Sequence, residues 1–219
     1  MIRLSPVQAL AATLISVAVA TSLGEIYHYA ATIVAPDWLA AAAVNSALAL
    51  AALTLLRLNT RGLLSAGTRI AYVPALAVVV GSMALAKLTG RDQAVALSTA
   101  EIWSFAGSIL WIPVIEELVF RGGVSQMFKA KLSPLWSAWF SAVIFTMVHG
   151  APTLERLMSG NVGFALGAFL LALCCEALVY FSHSLLPAIA FHAACNATVM
   201  IFGILSPQWL AWLGPLYLK

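Results

Sequence analysis

Three short stretches hold the residues whose types and spacing could do chemistry: EELVFR at 116–121, FTMVH at 145–149 and HAACN at 192–196. In the first, Glu117 and Arg121 are four apart, so on a helix they share a face and can pair, with the acid N-terminal to the base, the better order. Glu116 is one residue back and points about 100° away from Glu117. One carboxylate is then neutralised by its neighbour and the other is left facing something else. In the second stretch Phe145 and His149 share a face, and in the third His192 and Asn196 do. An unpaired carboxylate, an imidazole and a His/Asn pair are the parts of a water-activating hydrolase. Glu116, with His149, can take a proton from water. His192 and Asn196 can donate hydrogen bonds to the oxyanion formed when that water attacks a carbonyl, an effect of about 2.7–4 kcal/mol per donor. Each group also has a plain structural reading. Arg121 and Glu117 can be an ion cluster at a helix end, with the arginine snorkelling to the interface. His149, His192 and Asn196 can be interhelical hydrogen-bond partners. Those readings leave Glu116 unexplained.

The elements that must position these residues are membrane helices. The chain has 219 residues, 63% of them hydrophobic and 9% charged, against about 25% charged for a soluble domain. A water-facing surface cannot be made from that composition. The sequence predicts an all-α polytopic transmembrane bundle forming one integral membrane domain over 1–219, with the motif-bearing core at about 100–205. The breaks give eight candidate helices, at 7–34, 38–57, 70–88, 100–127, 134–150, 161–181, 185–205 and 207–218. The eighth is short, and Trp209, Trp212 and Tyr217 would also suit an interfacial helix. Placing the N-terminus in the cytoplasm puts Arg3, Arg57, Arg61, Arg69, Arg121, Lys129, Lys131 and Lys219 inside, and Lys87, Arg91 and Arg156 outside. The positive-inside rule therefore predicts both termini cytoplasmic, in the cell (inner) membrane. The first apolar run resembles a signal peptide, with an Ala-Val-Ala that would suit a peptidase, but its helical pattern continues past that point, so an uncleaved first span is expected.

Cys174, Cys175 and Cys195 all fall inside apolar segments, match no metal-ligand spacing and read as small core residues. The basic residues are spread over loops without aromatic interleaving, which excludes a nucleic-acid surface.

The ordered set EExxxR, FxxxH and HxxxN, carried here by Glu116, Glu117, Arg121, Phe145, His149, His192 and Asn196, resembles the CPBP family. That family joins the CAAX prenyl protease 2 (Rce1-like) and bacteriocin-processing intramembrane glutamic proteases. The run SLLPAIAFHAACN is similar to the family's last motif, and the resemblance covers residues 116 to 196. It implies a helical bundle with a conical cavity open to the membrane, and peptide hydrolysis by a glutamate-activated water with neither metal nor cofactor. It implies Glu116 and His149 as the catalytic pair, His192 and Asn196 as the oxyanion site, and Glu117 and Arg121 as supporting residues, with Phe145 holding its place in the second motif. The implied substrate is a membrane-associated protein or peptide, lipidated in CAAX-type members and a C-terminal sorting helix in others, and nothing in this sequence selects between them.

Other readings compete. Glu116, Glu117, His149 and His192 could together hold a metal, although no HExxH pattern is present. A transporter would also bury charge, but two matching, interrupted halves are lacking. A member of the same fold could act by binding alone, as a scaffold or immunity protein. Outside the motifs, Glu25 and His28 are three apart on one face and are expected to pair. Glu176, in LCCEALVY, is expected to be protonated or to meet an Arg or His of a neighbouring helix. His183 is expected in a solvated loop. Trp103, Trp111, Trp136 and Trp139 are expected at packing or interface positions.

Overall fold

The computed structural model describes residues 63–90, 105–149 and 165–205, with single positions at 47, 102 and 158. The expected helices at 7–34 and 207–218, and that at 38–57 apart from position 47, lie outside the described residues, as do Glu25, His28 and Trp103. Among the described residues every regular element is helical. Helix α1 (Val73–Leu88) follows a 3-10 turn at Arg69–Tyr72. A rod over 107–129 contains α2 (Ile112–Glu117) and α3 (Ser125–Lys129). Then come α4 (Pro134–His149), α5 (Leu166–Ser182) and α6 (Leu186–Leu205).

The starts are set by proline. Pro74, Pro134 and Pro187 each sit in the first turn of their helix, where the missing N–H has no intrahelical partner to lose. The corner between α5 and α6 is closed by hydroxyls. Ser182 Oγ donates to Leu178 O at 2.6 Å, and Ser184 Oγ accepts from Leu186 N–H at 3.2 Å, capping α6. His183 makes the turn in the left-handed region, at φ 53°, and its N–H bonds Val179 O. It is exposed, as a solvated loop residue should be. The segment before the 3-10 turn docks on this corner. Leu185 N–H donates to Leu63 O at 2.6 Å, Ser184 Oγ donates to Ser65 O, and Gly67 at φ +65° lies against Ser184 and Pro187.

The rod differs from the single regular helix expected at 100–127. It has a π-helical turn at Gly107–Trp111 and another at Leu118–Val124, and it runs on to Lys129. The first turn has a visible cause in Pro113. An interior proline cannot donate and clashes with the preceding turn, and a wider turn relieves that clash.

Helix α5 packs between α4 and α6, and α6 also meets α1 and α2. The core on one side joins Phe120, Phe145 and Phe169 to Ala142, Ala168 and Ala172, and the small residues allow close helix approach. A second core holds Cys175, Val179, Leu185 and Ala188. Cys175 is thus the core residue it was expected to be, whereas Cys174 is exposed one position round the helix. One helical stretch among the described residues, Arg69–Leu88, is long and apolar enough to cross a membrane, and Leu166–Ser182 and Leu186–Met200 are apolar but shorter. Leu76, Val80 and Met83 of α1 are all more than half exposed, as are Trp136 and Leu135 at the start of α4.

Candidate active site

The two glutamates take different surroundings because they occupy different faces of α2. Glu117 is fully buried. Its Oε1 lies 3.2 Å from Arg121 Nη1 and 2.9 Å from His192 Nδ1. A carboxylate can only accept, so Nδ1 of His192 carries the hydrogen and donates it. Glu116 is 21% exposed and faces a cavity of about 390 Å³. Its Oε2 lies 3.5 Å from His149 Nε2 and 3.6 Å from His192 Nε2.

His149 is the last residue of α4, and its Nδ1 donates to Phe145 O one turn back, at 2.8 Å. Both imidazoles therefore commit Nδ1 elsewhere and turn Nε2 toward the same carboxylate oxygen. Three acceptors converging on one point repel unless a hydrogen lies among them. A shared proton or the O–H of a water molecule meets that need. This arrangement can hold a water and take its proton.

Phe145 fixes the spacing. It is fully buried, stacks on His149 at 4.1 Å between ring centroids, meets His192 edge-on at 6.0 Å, and carries the Arg121 guanidinium over its face at 4.6 Å. Phe120 closes the other side, edge-on at 5.0 Å. One ring thus touches members of all three motifs.

Asn196 is held by a gap in the backbone ladder. In the π-helical turn the N–H of Ile112 bonds Gly107 O, five residues back. In that register the next donor, residue 113, would bond Ser108 O, but residue 113 is a proline. Asn196 Nδ2 donates to Ser108 O instead, at 2.9 Å. The side chain was expected to offer two donor hydrogens; one is used here, and the other remains for a ligand in the cavity that Asn196 lines.

All seven residues singled out from the motifs are thus gathered around one cavity and the ion cluster beneath it. Glu176 joins them. It is buried, accepts from Ser125 Oγ at 2.8 Å, and lies 3.4 Å from Lys129 Nζ and 3.9 Å from Arg121 Nε. Its own stretch of sequence shows no partner for it; the signal passed over is that Arg121, Ser125 and Lys129 follow one another at steps of four. The cavity is otherwise apolar, walled by Leu170, Leu171, Phe191 and Val199, with Gly167 and Ala168 leaving room between them.

A different set of donors could in principle hold a metal. Glu117, Cys175 and His192 place ligand atoms within 4.8 Å of one another, all buried. Arg121 already sets a positive charge against the same Glu117 oxygen, which disfavours a second cation there.

Residues 98–198 match a family model described as type II CAAX prenyl endopeptidase, Rce1-like. No curated protein and no solved structure matches the chain.

Proposed function

We propose, on the premise that residues 98–198 form a domain of the Rce1-like type II CAAX prenyl endopeptidase family, that the chain is an intramembrane glutamic endopeptidase acting on a membrane-associated protein or peptide. The observation that carries this reading is the convergence of Glu116 Oε2 with Nε2 of His149 and of His192, at the wall of the cavity.

In the proposed reaction a water molecule lies against Glu116 and His149. Its proton passes to Glu116 while its oxygen bonds to the scissile carbonyl carbon. The carbonyl oxygen gains negative charge and accepts from the spare amide hydrogen of Asn196 and from Nε2–H of His192. His192 can donate there only as the doubly protonated ring, because its Nδ1–H is already given to Glu117. Glu117, held by Arg121, accepts the Nδ1–H and so fixes how that ring faces the cavity. The C–N bond then breaks, and the leaving amine takes the proton from Glu116. The apolar walls of the cavity strengthen each of these interactions.

The bundle sits in the cell (inner) membrane with eight helices and both termini cytoplasmic, and the apolar cavity wall receives the hydrophobic part of the substrate. No cofactor is needed.

The test uses the whole chain in liposomes. One peptide ends in a farnesylated cysteine followed by three residues of CAAX type, and a second is identical but unlipidated. Products are read by mass spectrometry. Release of the last three residues from the lipidated peptide alone supports CAAX-type processing. Cleavage of both supports an endopeptidase without a lipid requirement. Two intact peptides contradict the CAAX reading and move a binding or immunity role ahead of it.

A further inference from the structure

We infer that Glu176 is a positioning residue of the site: from the far side of Arg121, it sets how Glu117 holds the Nδ1–H of His192. The inference rests on the proposed endopeptidase, because His192 belongs to that site.

The geometry runs as a chain of alternating charge across two helices, α5 and α6, and the rod. His192 of α6 donates to Glu117 at 2.9 Å. Glu117 lies 3.2 Å from Arg121 Nη1, on the edge of the guanidinium that faces α2. Arg121 Nε, on another edge, lies 3.9 Å from Glu176 of α5. Glu176 is held in turn by Ser125 at 2.8 Å and Lys129 at 3.4 Å, both on α3. Glu117 and Arg121 are fully buried, and Glu176 is 2% exposed. Lys129, at 22%, is the link that reaches the surface.

Neither contact is a hydrogen bond, so the guanidinium is held between the two carboxylates by charge, and both act on where it sits. With Glu176 neutral, Arg121 would have a single buried counter-charge, and it would turn or move toward Glu117 to compensate. Either change alters the charge that Glu117 presents to His192. Nδ1–H would then no longer be the one favoured form of the ring. His149 is a natural control. Its Nδ1 is held by the Phe145 carbonyl of its own helix, not by this chain of charges.

The test reads the rings directly and does not depend on a substrate. The whole chain is labelled with nitrogen-15 histidine, placed in lipid bilayers, and examined by solid-state NMR. It has four histidines, and the His149 and His192 signals are assigned with His149→Gln and His192→Gln. In the wild type His192 gives one form with Nδ1 protonated. In Glu176→Gln the His192 signal shifts or splits into two ring forms, while His149 keeps its wild-type position. Glu176→Asp restores part of the wild-type signal, and Ser125→Ala, which removes one hydrogen bond only, gives a smaller shift of the same kind. Unchanged His192 signals in a folded Glu176→Gln protein overturn the inference. Equal movement of His149 and His192 also overturns it, since that marks a general loosening of the fold. Should Glu176→Gln not fold, Ser125→Ala decides alone. Intact peptides in the liposome assay with these NMR results would instead contradict the CAAX reading and leave the positioning role standing.

Discussion

Helix α1 and the rod at 107–129 are drawn from much the same apolar alphabet, yet they are built for opposite ends. In α1 the only charged residue is Lys87 near its end, Ala86 is the only buried residue, and the remaining surface is mostly valine, leucine, alanine and methionine, with Pro74, Gly81 and Ser82 among them. The rod carries Glu116, Glu117, Arg121 and Lys129, and it buries Glu117, Arg121 and Ser125 completely. The first is a regular helix whose backbone satisfies itself. The second is interrupted by two π-helical turns, and one of them leaves a carbonyl that Asn196 uses. A lipid-facing helix needs only to be apolar and regular. A helix that builds a polar site must accept ionisable groups and irregular backbone, and both depend on neighbouring helices for partners.

This contrast can be broken at several points. The largest effect is expected at Glu116→Gln, which keeps the shape of the side chain and removes the base. Peptide cleavage should fall by about 10²–10⁴-fold, with thermal stability close to wild type, read by parallel kinetics and unfolding. Next is Arg121→Met, which leaves Glu117 and Glu176 buried without their shared cation. A loss of about 3–5 kcal/mol is expected, seen as a lower midpoint in detergent or denaturant. A matching Val80→Asp in α1 should cost about 2.5–3.5 kcal/mol of membrane insertion, whereas Val80→Leu should be silent in an insertion assay. If Val80→Leu proved as harmful as Arg121→Met, the division of labour between the two helices would be wrong. The smallest effect is at the α5–α6 corner. His183→Gly should raise stability by about 1 kcal/mol by removing the left-handed strain of a side-chain-bearing residue, with activity unchanged.

Much of this was legible in the sequence. Helix spacing alone paired Glu117 with Arg121 and turned Glu116 away from both, and those are their positions in the site. The helices at 134–149 and 186–205 follow their proline starts and apolar lengths closely. The π-helical turns were not legible, because a wide turn has no composition of its own, and the apolar pattern predicts one helix straight through Pro113. Glu176 was visible as an expensive residue, and one of the two expectations for it, an arginine on a neighbouring helix, is what the fold supplies. Its link to His192 passes through Glu117 and Arg121 on another segment, and only packing brings those together. The donor arithmetic at His192 and Asn196 also needed the fold, since each spends one hydrogen on a partner that residue spacing does not reveal.

The measurement that bears most directly on water activation by Glu116 is terminal proteomics. Membranes are compared from cells carrying the wild-type chain or Glu116→Gln at equal abundance. Water activation by Glu116 predicts that particular membrane proteins or peptides keep an uncleaved terminus in the variant alone. Identical terminal maps, under conditions where loss of the whole gene changes the cell, would contradict it.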